Sequence, residues 1–358
     1  MPSRERPPQP RRAPCLRRRR VIYDFFSVVS PKVASEAIND PIDVPVSKLK
    51  FLAALAAAGI AVQAFAATSV TLPHWACSNH DALFVGGFDD GAFVPSDPSN
   101  GSGGVYPGKQ TRTLHIARLG TGTQNYYVYL PLDYTPTRSW PMLLALHGVA
   151  PADDTYAKST RDSWLGAAKS GRFIVVAPVA DEVFQCWDGT KYVPCESWLM
   201  PPDQPNDLDL FAAVRADMES AYNIERTRIY GWGFSAGGHV MDLLGVTDAS
   251  AAFNASTMAA YSVSSGVLNS WACPGSTDAG CASFLANLPR KIPVDIHIAT
   301  NDPNYSAAAA DHNLFLAEGW TDGQTLHYTE FYDPNVHSYT IPQLTDIWNN
   351  LCPNAVVP

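Results

Sequence analysis

The run Gly-Phe-Ser-Ala-Gly at positions 233–237 constrains the fold of this chain more than any other feature of its sequence. Residues 228–233 have the pattern of a β-strand, and residues 236–244 have the pattern of a helix. A serine in a sharp strand-to-helix turn has a strained backbone, and the residues two positions before and after it must be small so that strand and helix can approach each other. Gly233 and Gly237 meet that need. The pattern therefore predicts a nucleophile elbow at Ser235 rather than an ordinary glycine-rich turn.

The rest of the chain alternates between strand and helix patterns. A hairpin is predicted from residues 111–119 and 124–130, followed by strands at 142–146, 173–177, 228–233, 260–264, 294–299 and 326–331. Helices are predicted at 159–170, 207–222, 236–244, 306–318 and 342–350. This order predicts an α/β fold with a mostly parallel central sheet and helices on both faces, and the elbow makes it an α/β-hydrolase fold. Ligands in such sheets bind at the carboxyl ends of the strands.

A nucleophilic serine needs a base, and the base needs an orienting carboxylate. In this fold they follow the serine in the order acid, then histidine. Asp302 comes directly after the strand at 294–299, and His337 comes shortly after the strand at 326–331. We therefore predict Asp302 as the acid and His337 as the base.

The competing residues lie in less suitable places along the chain. Two other aspartates fall inside the predicted strand and the following helix, and four other histidines fall inside strands, on a helix or just after the elbow. These residues are Asp295, Asp311, His239, His297, His312 and His327. We expect structural or solvated roles for them, with His239 near enough to the elbow to line a pocket.

The negative oxygen of a tetrahedral intermediate needs preorganised N–H donors. One is predicted from Ala236, directly after the nucleophile, and the other from Val149, in the loop after the strand at 142–146. Gly148 permits the sharp turn that aims the Val149 N–H inward. His147 is expected to brace this loop, and it is also a candidate substrate contact.

Four segments resemble a known family: ALHGVA at 145–150, Cys186-Trp187, RIYGWGFSAGG at 228–238, and His337 ahead of a Trp-containing last helix. They look like the secreted α/β-hydrolases grouped as polyhydroxybutyrate depolymerases and feruloyl or acetylxylan esterases, over residues 111–352. The resemblance implies ester hydrolysis by a triad that maps onto Ser235, Asp302 and His337, without a metal or an organic cofactor.

The sequence departs from that family in two places and offers further aromatic candidates. Val149 stands where many relatives have Cys or Gly, and residues 299–305, ATNDPNY, replace the pattern hGxxDxxV expected around the acid. Besides His147, the candidate substrate contacts are Phe234, Trp187 and Trp271. The two tryptophans lie in segments that also hold predicted disulfides, where an aromatic ring either stacks on substrate or packs beneath the disulfide.

Residues 48–66, KLKFLAALAAAGIAVQAFA, have the layout of a secretory signal peptide. The apolar stretch is short for a transmembrane span, and cleavage after Ala66 fits the small-x-small rule. We interpret residues 1–46 as a dispensable extension that results from a misplaced start codon, 47–66 as the signal peptide and 67–358 as a single catalytic domain. The alternative for 51–65 is an apolar core helix. We expect a secreted or periplasmic protein whose mature form has no membrane partner.

The charge of the chain argues against one class of partner, and its cysteine content agrees with export. The net charge is −9 for the whole chain and −16 for residues 21–358, and such an acidic surface excludes nucleic acid as a partner.

Six of the seven cysteines lie beyond the predicted leader. Loop closure favours pairing Cys186 with Cys195 and Cys273 with Cys281, which leaves Cys77 for Cys352; buried free thiols are the alternative.

The leading hypothesis is a secreted serine esterase acting on a small or oligomeric ester. The substrate is expected among feruloyl or acetyl esters of carbohydrates and short hydroxyalkanoate esters. The alternatives are a depolymerase acting on solid polyhydroxybutyrate, a peptidase of the prolyl-oligopeptidase type and a binding protein on an inactive hydrolase scaffold. Because the sequence ends shortly after Cys352, we expect soluble esters to be better substrates than granular polymer.

Overall fold

The computed structural model describes residues 67–72, 77, 96–115, 122–187, 190–201, 206–268, 271–273 and 277–357. The predicted extension of residues 1–46 and the predicted signal peptide of residues 47–66 lie outside the described residues. No helix within the described ranges is long and apolar enough to cross a membrane.

The strands alternate with helices along most of the chain. In chain order the strands are β1 Thr68–Thr71, β2 Gly108–Leu114, β3 Gln124–Leu130, β4 Trp140–Leu146, β5 Ala150–Pro151, β6 Ile174–Pro178, β7 Glu182–Trp187, β8 Tyr192–Ser197, β9 Ile224–Phe234, β10 Ala260–Ser264, β11 Val294–Ala299, β12 Leu326–Phe331 and β13 Asn354–Val357.

The helices are α1 Thr155–Ser163, α2 Leu165–Gly171, α3 Asp207–Ala221, α4 Ala236–Val246, α5 Asp278–Ala286, α6 Tyr305–Ala317 and α7 Ile341–Leu351. Local chemistry explains where two of them begin. Asn206 and Asp209 form a capping box at the start of α3, and Thr340 and Gln343 form another at the start of α7.

Within the described ranges, the main sheet has eight strands in the order β12-β11-β10-β9-β4-β6-β3-β2. The strands from β12 to β6 pair in parallel, whereas β3 pairs antiparallel with both β6 and β2. The predicted α/β-hydrolase architecture, a mostly parallel sheet with an antiparallel hairpin at one edge, is thereby confirmed. The carboxyl ends of β4, β9, β11 and β12 lie at the same edge of this sheet.

Helices cover both faces of the sheet, as the alternation of side chains along the buried strands requires. In β4, Met142 and Leu144 face a core layer shared with α3, α4 and α6. Leu143, between them, faces a second layer shared with α2 and α7. Trp348 of α7 stacks on Phe173 in that second layer, with ring centroids 3.6 Å apart.

The predicted bounds of β10, β11 and β12 are confirmed to the residue, and the predicted hairpin is β2 and β3. The prediction of a single helix at 159–170 is wrong. Two helices, α1 and α2, meet at Trp164. Its backbone N–H donates to the Arg161 carbonyl oxygen, and its ring is fully buried, which holds the chain at this junction. The strand predicted at 228–233 is longer, and β1, β5, β7, β8, β13 and α5 were not predicted.

Two predicted disulfides are confirmed. Cys77 bonds to Cys352, and Cys273 bonds to Cys281. Cys186 and Cys195 are both disulfide-bonded as well.

Among the described residues, 185–187 and 190–193 are assigned to a different compact unit from the others. Within it, the rings of Trp187 and Tyr192 meet edge to face with centroids 5.3 Å apart.

Candidate active site

Ser235 lies at the junction of β9 and α4 with φ 54° and ψ −118°. A residue other than glycine with a positive φ has a strained backbone, and here this conformation turns the chain sharply from strand to helix. The crowding around this turn is severe: a Cβ on Gly233 would overlap the backbone of Gly237, and a Cβ on Gly237 would overlap the carbonyl oxygen of Leu146. The backbone therefore has the form of the predicted nucleophile elbow.

The structure brings Ser235, Asp302 and His337 together, and we call these residues the candidate triad. His337 Nε2 lies 2.9 Å from Ser235 Oγ, and His337 Nδ1 lies 2.8 Å from Asp302 Oδ2. With the imidazole neutral, Nδ1–H donates to the carboxylate and Nε2 accepts the serine O–H. This chain of hydrogen bonds has the geometry by which a histidine removes a proton from serine.

The topology explains why the acid and the base meet. β11 and β12 are parallel neighbours, with Ala299 opposite Phe331. The acid loop, residues 300–304, and the base loop, residues 332–338, therefore leave the same edge of the sheet side by side. The Asp302 side chain is buried, and its second oxygen accepts the Asn304 N–H at 2.8 Å, which fixes the carboxylate toward the base.

The two predicted oxyanion donors lie on segments that flank the serine. Ala236 is the first residue of α4, and the first N–H groups of a helix have no acceptor within it. The other segment approaches closely, since a Cβ on Gly148 would lie 3.0 Å from Ser235 Cβ. Val149 follows Gly148 directly and packs partly buried against the core.

His147 has the bracing role and not the predicted substrate contact, because its side chain is 1% exposed. Its Nδ1 lies 2.7 Å from the Gly148 carbonyl oxygen, and its Nε2 accepts the Ala180 N–H at 3.3 Å. The Trp198 indole donates to the His147 carbonyl at 2.8 Å. Burial lowers the pKa of His147 to about 4, so the ring is neutral. The hydrogen bonds above hold it rigidly next to Gly148.

Phe234 and Trp271 contact two histidines near the serine. The Phe234 ring lies 5.0 Å from the His337 ring. Trp271, 38% exposed, meets His239 edge to face at 5.5 Å. Burial lowers the pKa of His239 to about 4, so a neutral ring lies on the helix that follows Ser235. The fourth candidate contact, Trp187, belongs to the other compact unit, and its role stays a prediction.

The rejected acids have other partners. Asp295 accepts hydrogen bonds from Ser262 and Asn350, both at 3.1 Å. Asp311 accepts the Leu268 N–H at 2.9 Å. Both side chains are buried. Their structural roles agree with the interpretation from the sequence.

Two residues that the sequence analysis did not single out join the acid and base loops. Asn301 and Asp333 form two hydrogen bonds through the Asn301 side chain and the Asp333 backbone. The signal in the sequence is the Asp-Pro-Asn turn at 333–335, in which an aspartate side chain caps its own turn.

No group of three or more His, Cys, Asp or Glu side chains with metal-binding geometry occurs among the residues that the structure describes.

Comparison with known proteins points to esterases. No family model matches the chain. A stretch of 117 residues, 32% of this chain, is 32% identical to the bifunctional acetylxylan esterase/xylanase XynS20E of Neocallimastix patriciarum, and the chain spans only 15% of that protein. This partial match agrees with the resemblance drawn from the motifs.

Comparison with solved structures bears on the fold. A ferulic acid esterase superimposes with a TM-score of 0.51 at 16% identity, over 69% of this chain and 98% of the other. The CE1 ferulic acid esterase of the anaerobic fungus Anaeromyces mucronatus gives a TM-score of 0.44 at 20% identity, over 69% and 90%. The first of these likenesses shows that the chain has the fold of this class of hydrolases.

Proposed function

We propose that this chain is a serine carboxylic-ester hydrolase that works through an acyl-enzyme, with Ser235 as nucleophile, His337 as base and Asp302 as the orienting acid. The observation that carries the proposal is the continuous pair of hydrogen bonds from Ser235 Oγ through His337 to Asp302, at 2.9 and 2.8 Å. In enzymes with a nucleophilic serine, one imidazole nitrogen bonds to the serine and the other bonds to a carboxylate, as here.

In the first half of the reaction Ser235 Oγ attacks the carbonyl carbon of the ester while its proton passes to His337 Nε2. The imidazolium then donates that proton to the departing alcohol, which leaves the acyl group on Oγ. In the second half a water molecule loses its proton to Nε2 and attacks the acyl carbon. The proton returns to Oγ as the acid product departs. Asp302 keeps Nδ1–H oriented throughout and stabilises the charged ring.

Each tetrahedral intermediate places a negative charge on the former carbonyl oxygen. We assign its stabilisation to the N–H groups of Ala236 and Val149, since these lie on the segments that flank Ser235. Backbone donors fixed before the reaction stabilise such charge without reorganisation. The buried His147 holds the Val149 segment in place through the bonds described above.

For the substrate we propose a feruloyl or acetyl ester of a carbohydrate, or a short hydroxyalkanoate ester. The similarity to an acetylxylan esterase and to a ferulic acid esterase supports the first two. The Phe234 ring, beside His337, and the Trp271 ring, beside His239, provide apolar surface for an acyl group. We name no macromolecular partner, and the acidic net charge disfavours nucleic acid.

We also propose that the protein is exported to the cell surroundings or the periplasm. Its disulfide-bonded cysteines support this, because disulfides persist in oxidising compartments and are rare in the cytosol. The mass of the N-terminal peptide of the exported protein tests the prediction that cleavage follows Ala66.

The test compares Ser235→Ala with the control Ser256→Ala, which changes an exposed serine. Wild type and control should hydrolyse p-nitrophenyl acetate, methyl ferulate or acetylated xylan and should be labelled at Ser235 by a fluorophosphonate. Ser235→Ala should lose the label and at least about 10³-fold in kcat. Retained hydrolysis in Ser235→Ala would refute the assignment. Preference for granular polyhydroxybutyrate over all soluble esters would replace the proposed substrate with the polymer.

A further inference from the structure

The residue before the candidate base has a strained backbone. Val336 has φ 71°, the left-handed region, which a β-branched side chain adopts only under constraint. Its side chain is 44% exposed, so burial of the valine does not explain the conformation. Strain of this kind persists only where the surrounding structure holds the segment on both sides.

The constraint comes from Asp333, whose carboxyl is buried beneath the base loop, with the residue 1% exposed. One carboxylate oxygen accepts the Asn335 N–H at 2.8 Å, and the other accepts the Ser338 O–H at 2.6 Å. The Asp333 carbonyl oxygen accepts the Val336 N–H at 3.0 Å. These bonds close the loop around Val336 and His337, with one attachment before them and one directly after.

The closed loop is also attached to the acid loop. The Asn301 side chain donates to the Asp333 carbonyl oxygen at 2.7 Å and accepts the Asp333 N–H at 3.2 Å. Asn301 is the neighbour of Asp302 in the chain. The segment that holds the base is therefore fixed to the segment that holds the acid, independently of the hydrogen bond between His337 and Asp302.

We propose that Asp333 and Asn301 are positioning residues that hold the His337 ring in line between Asp302 and Ser235. The proposal rests on the proposed function. Neither residue bonds to the ring itself, and both act through the backbone of the base loop. The strained φ of Val336 agrees with this arrangement, because the hydrogen bonds of Asp333 hold the loop on both sides of that residue.

The role of Asp333 depends on its hydrogen bonds and not on its charge. An asparagine at this position still accepts the Asn335 N–H, and its amide donates to the Ser338 hydroxyl oxygen in place of the original bond. An alanine loses both bonds. Asp333→Asn should therefore keep the catalytic activity that Asp333→Ala loses. If Asp333 acted instead through its charge, by stabilising the imidazolium, Asp333→Asn would lose that activity as well.

The kinetic test uses Asp333→Ala, Asp333→Asn and Asn301→Ala, with Asp346→Ala as the control at an exposed aspartate on α7. With p-nitrophenyl acetate, Asp333→Ala and Asn301→Ala should lower kcat about 10- to 100-fold and leave KM within about twofold, since misplacement of the base affects the chemical step. Asp333→Asn and the control should keep kcat within about threefold. Wild-type kcat in Asp333→Ala, or equal losses in Asp333→Ala and Asp333→Asn, would overturn the proposal.

A second readout does not depend on turnover. The proton between His337 Nδ1 and Asp302 should give a low-field NMR signal in the wild type that His337→Ala lacks. It should weaken or disappear in Asp333→Ala and persist in Asp333→Asn. If the wild type hydrolyses no ester, the proposed function fails, and this signal still decides whether Asp333 positions the ring. An unchanged signal in Asp333→Ala would contradict the positioning role.

A milder variant covers the case in which Asp333→Ala does not fold. Ser338→Ala removes only the bond to the second carboxylate oxygen. It should fold and lower kcat about 3- to 10-fold without changing KM. Full activity of a folded Ser338→Ala, together with an unchanged low-field signal, would overturn the proposal.

Discussion

Glu196, near the end of β8, is expected to make the folded chain less stable as the pH rises. The residue is 4% exposed, and its Oε1 has no hydrogen-bond partner among the described residues. Burial, with the added repulsion of nearby carboxylates such as Asp153 and Asp154, raises the pKa of Glu196 to about 8. The folded chain therefore holds a proton on Glu196 at neutral pH.

The sign of the effect follows from comparing the folded and unfolded chains. An unfolded glutamate titrates near pH 4.3, so between about pH 4.3 and 8 the folded form binds the proton that the unfolded form has lost. The stability contributed by the raised pKa is complete below about pH 4 and is lost as the pH rises through 8. At 1.36 kcal/mol for each unit, the raised pKa corresponds to at most about 5 kcal/mol, and relaxation of the site reduces this to about 2–4 kcal/mol.

The test is Glu196→Gln, which keeps the shape of the protonated side chain. In urea unfolding at about pH 5 the variant should match the wild type within about 1 kcal/mol, and at about pH 9 it should be more stable by about 2–4 kcal/mol. His147, whose pKa is lowered to about 4, is neutral in the folded chain at both pH values, although its Nε2 lies 3.7 Å from Glu196 Oε1. Asp248→Asn, at an exposed carboxylate, should show no such dependence. A difference between Glu196→Gln and wild type that is the same at both pH values would refute the reasoning.

Two further predictions concern the site and its support. Gly148→Ala should lower kcat about 10- to 100-fold with the fold intact, since its Cβ would lie 3.0 Å from Ser235 Cβ and displace the oxyanion segment; unchanged kinetics would contradict that packing. Cys77→Ser with Cys352→Ser should lower the free energy of unfolding by about 2–5 kcal/mol, because the disulfide closes a separation of 275 residues; equal urea midpoints would contradict it.

Most of the central sheet was predictable because β4, β6, β10 and β11 are continuously buried, whereas β12 is only partly buried. β10, β11 and β12 are short runs of β-forming residues between helical patterns, and their bounds follow from composition alone. β7 and β8 carry polar and exposed residues, and Pro194 interrupts β8. Their pairing depends on contacts made elsewhere in the fold, so no local pattern indicates them.

The three members of the candidate triad were predictable for a related reason. Each follows a recognisable strand, and parallel strands bring their carboxyl ends to one edge. The environments of single side chains were not predictable. His147 was predicted as a substrate contact as well as a brace, and only the packing of Trp198 and Ala180 around it shows that it is enclosed. The pKa of Glu196 depends on burial by residues distant in sequence.

The two strained residues of the site show which kinds of strain a sequence reveals. Ser235, at φ 54°, turns the chain where strand, helix and the β4 carbonyls crowd together, so its neighbours at 233 and 237 must be glycine. The sequence pattern records that crowding. Val336, at φ 71°, lies on an exposed loop where nothing limits the size of the side chain. Its strain comes from hydrogen bonds of Asp333 to both sides of the loop and of Asn301 across to it. Such bonds do not require a particular amino acid at position 336, so the sequence does not show that this residue orients the candidate base.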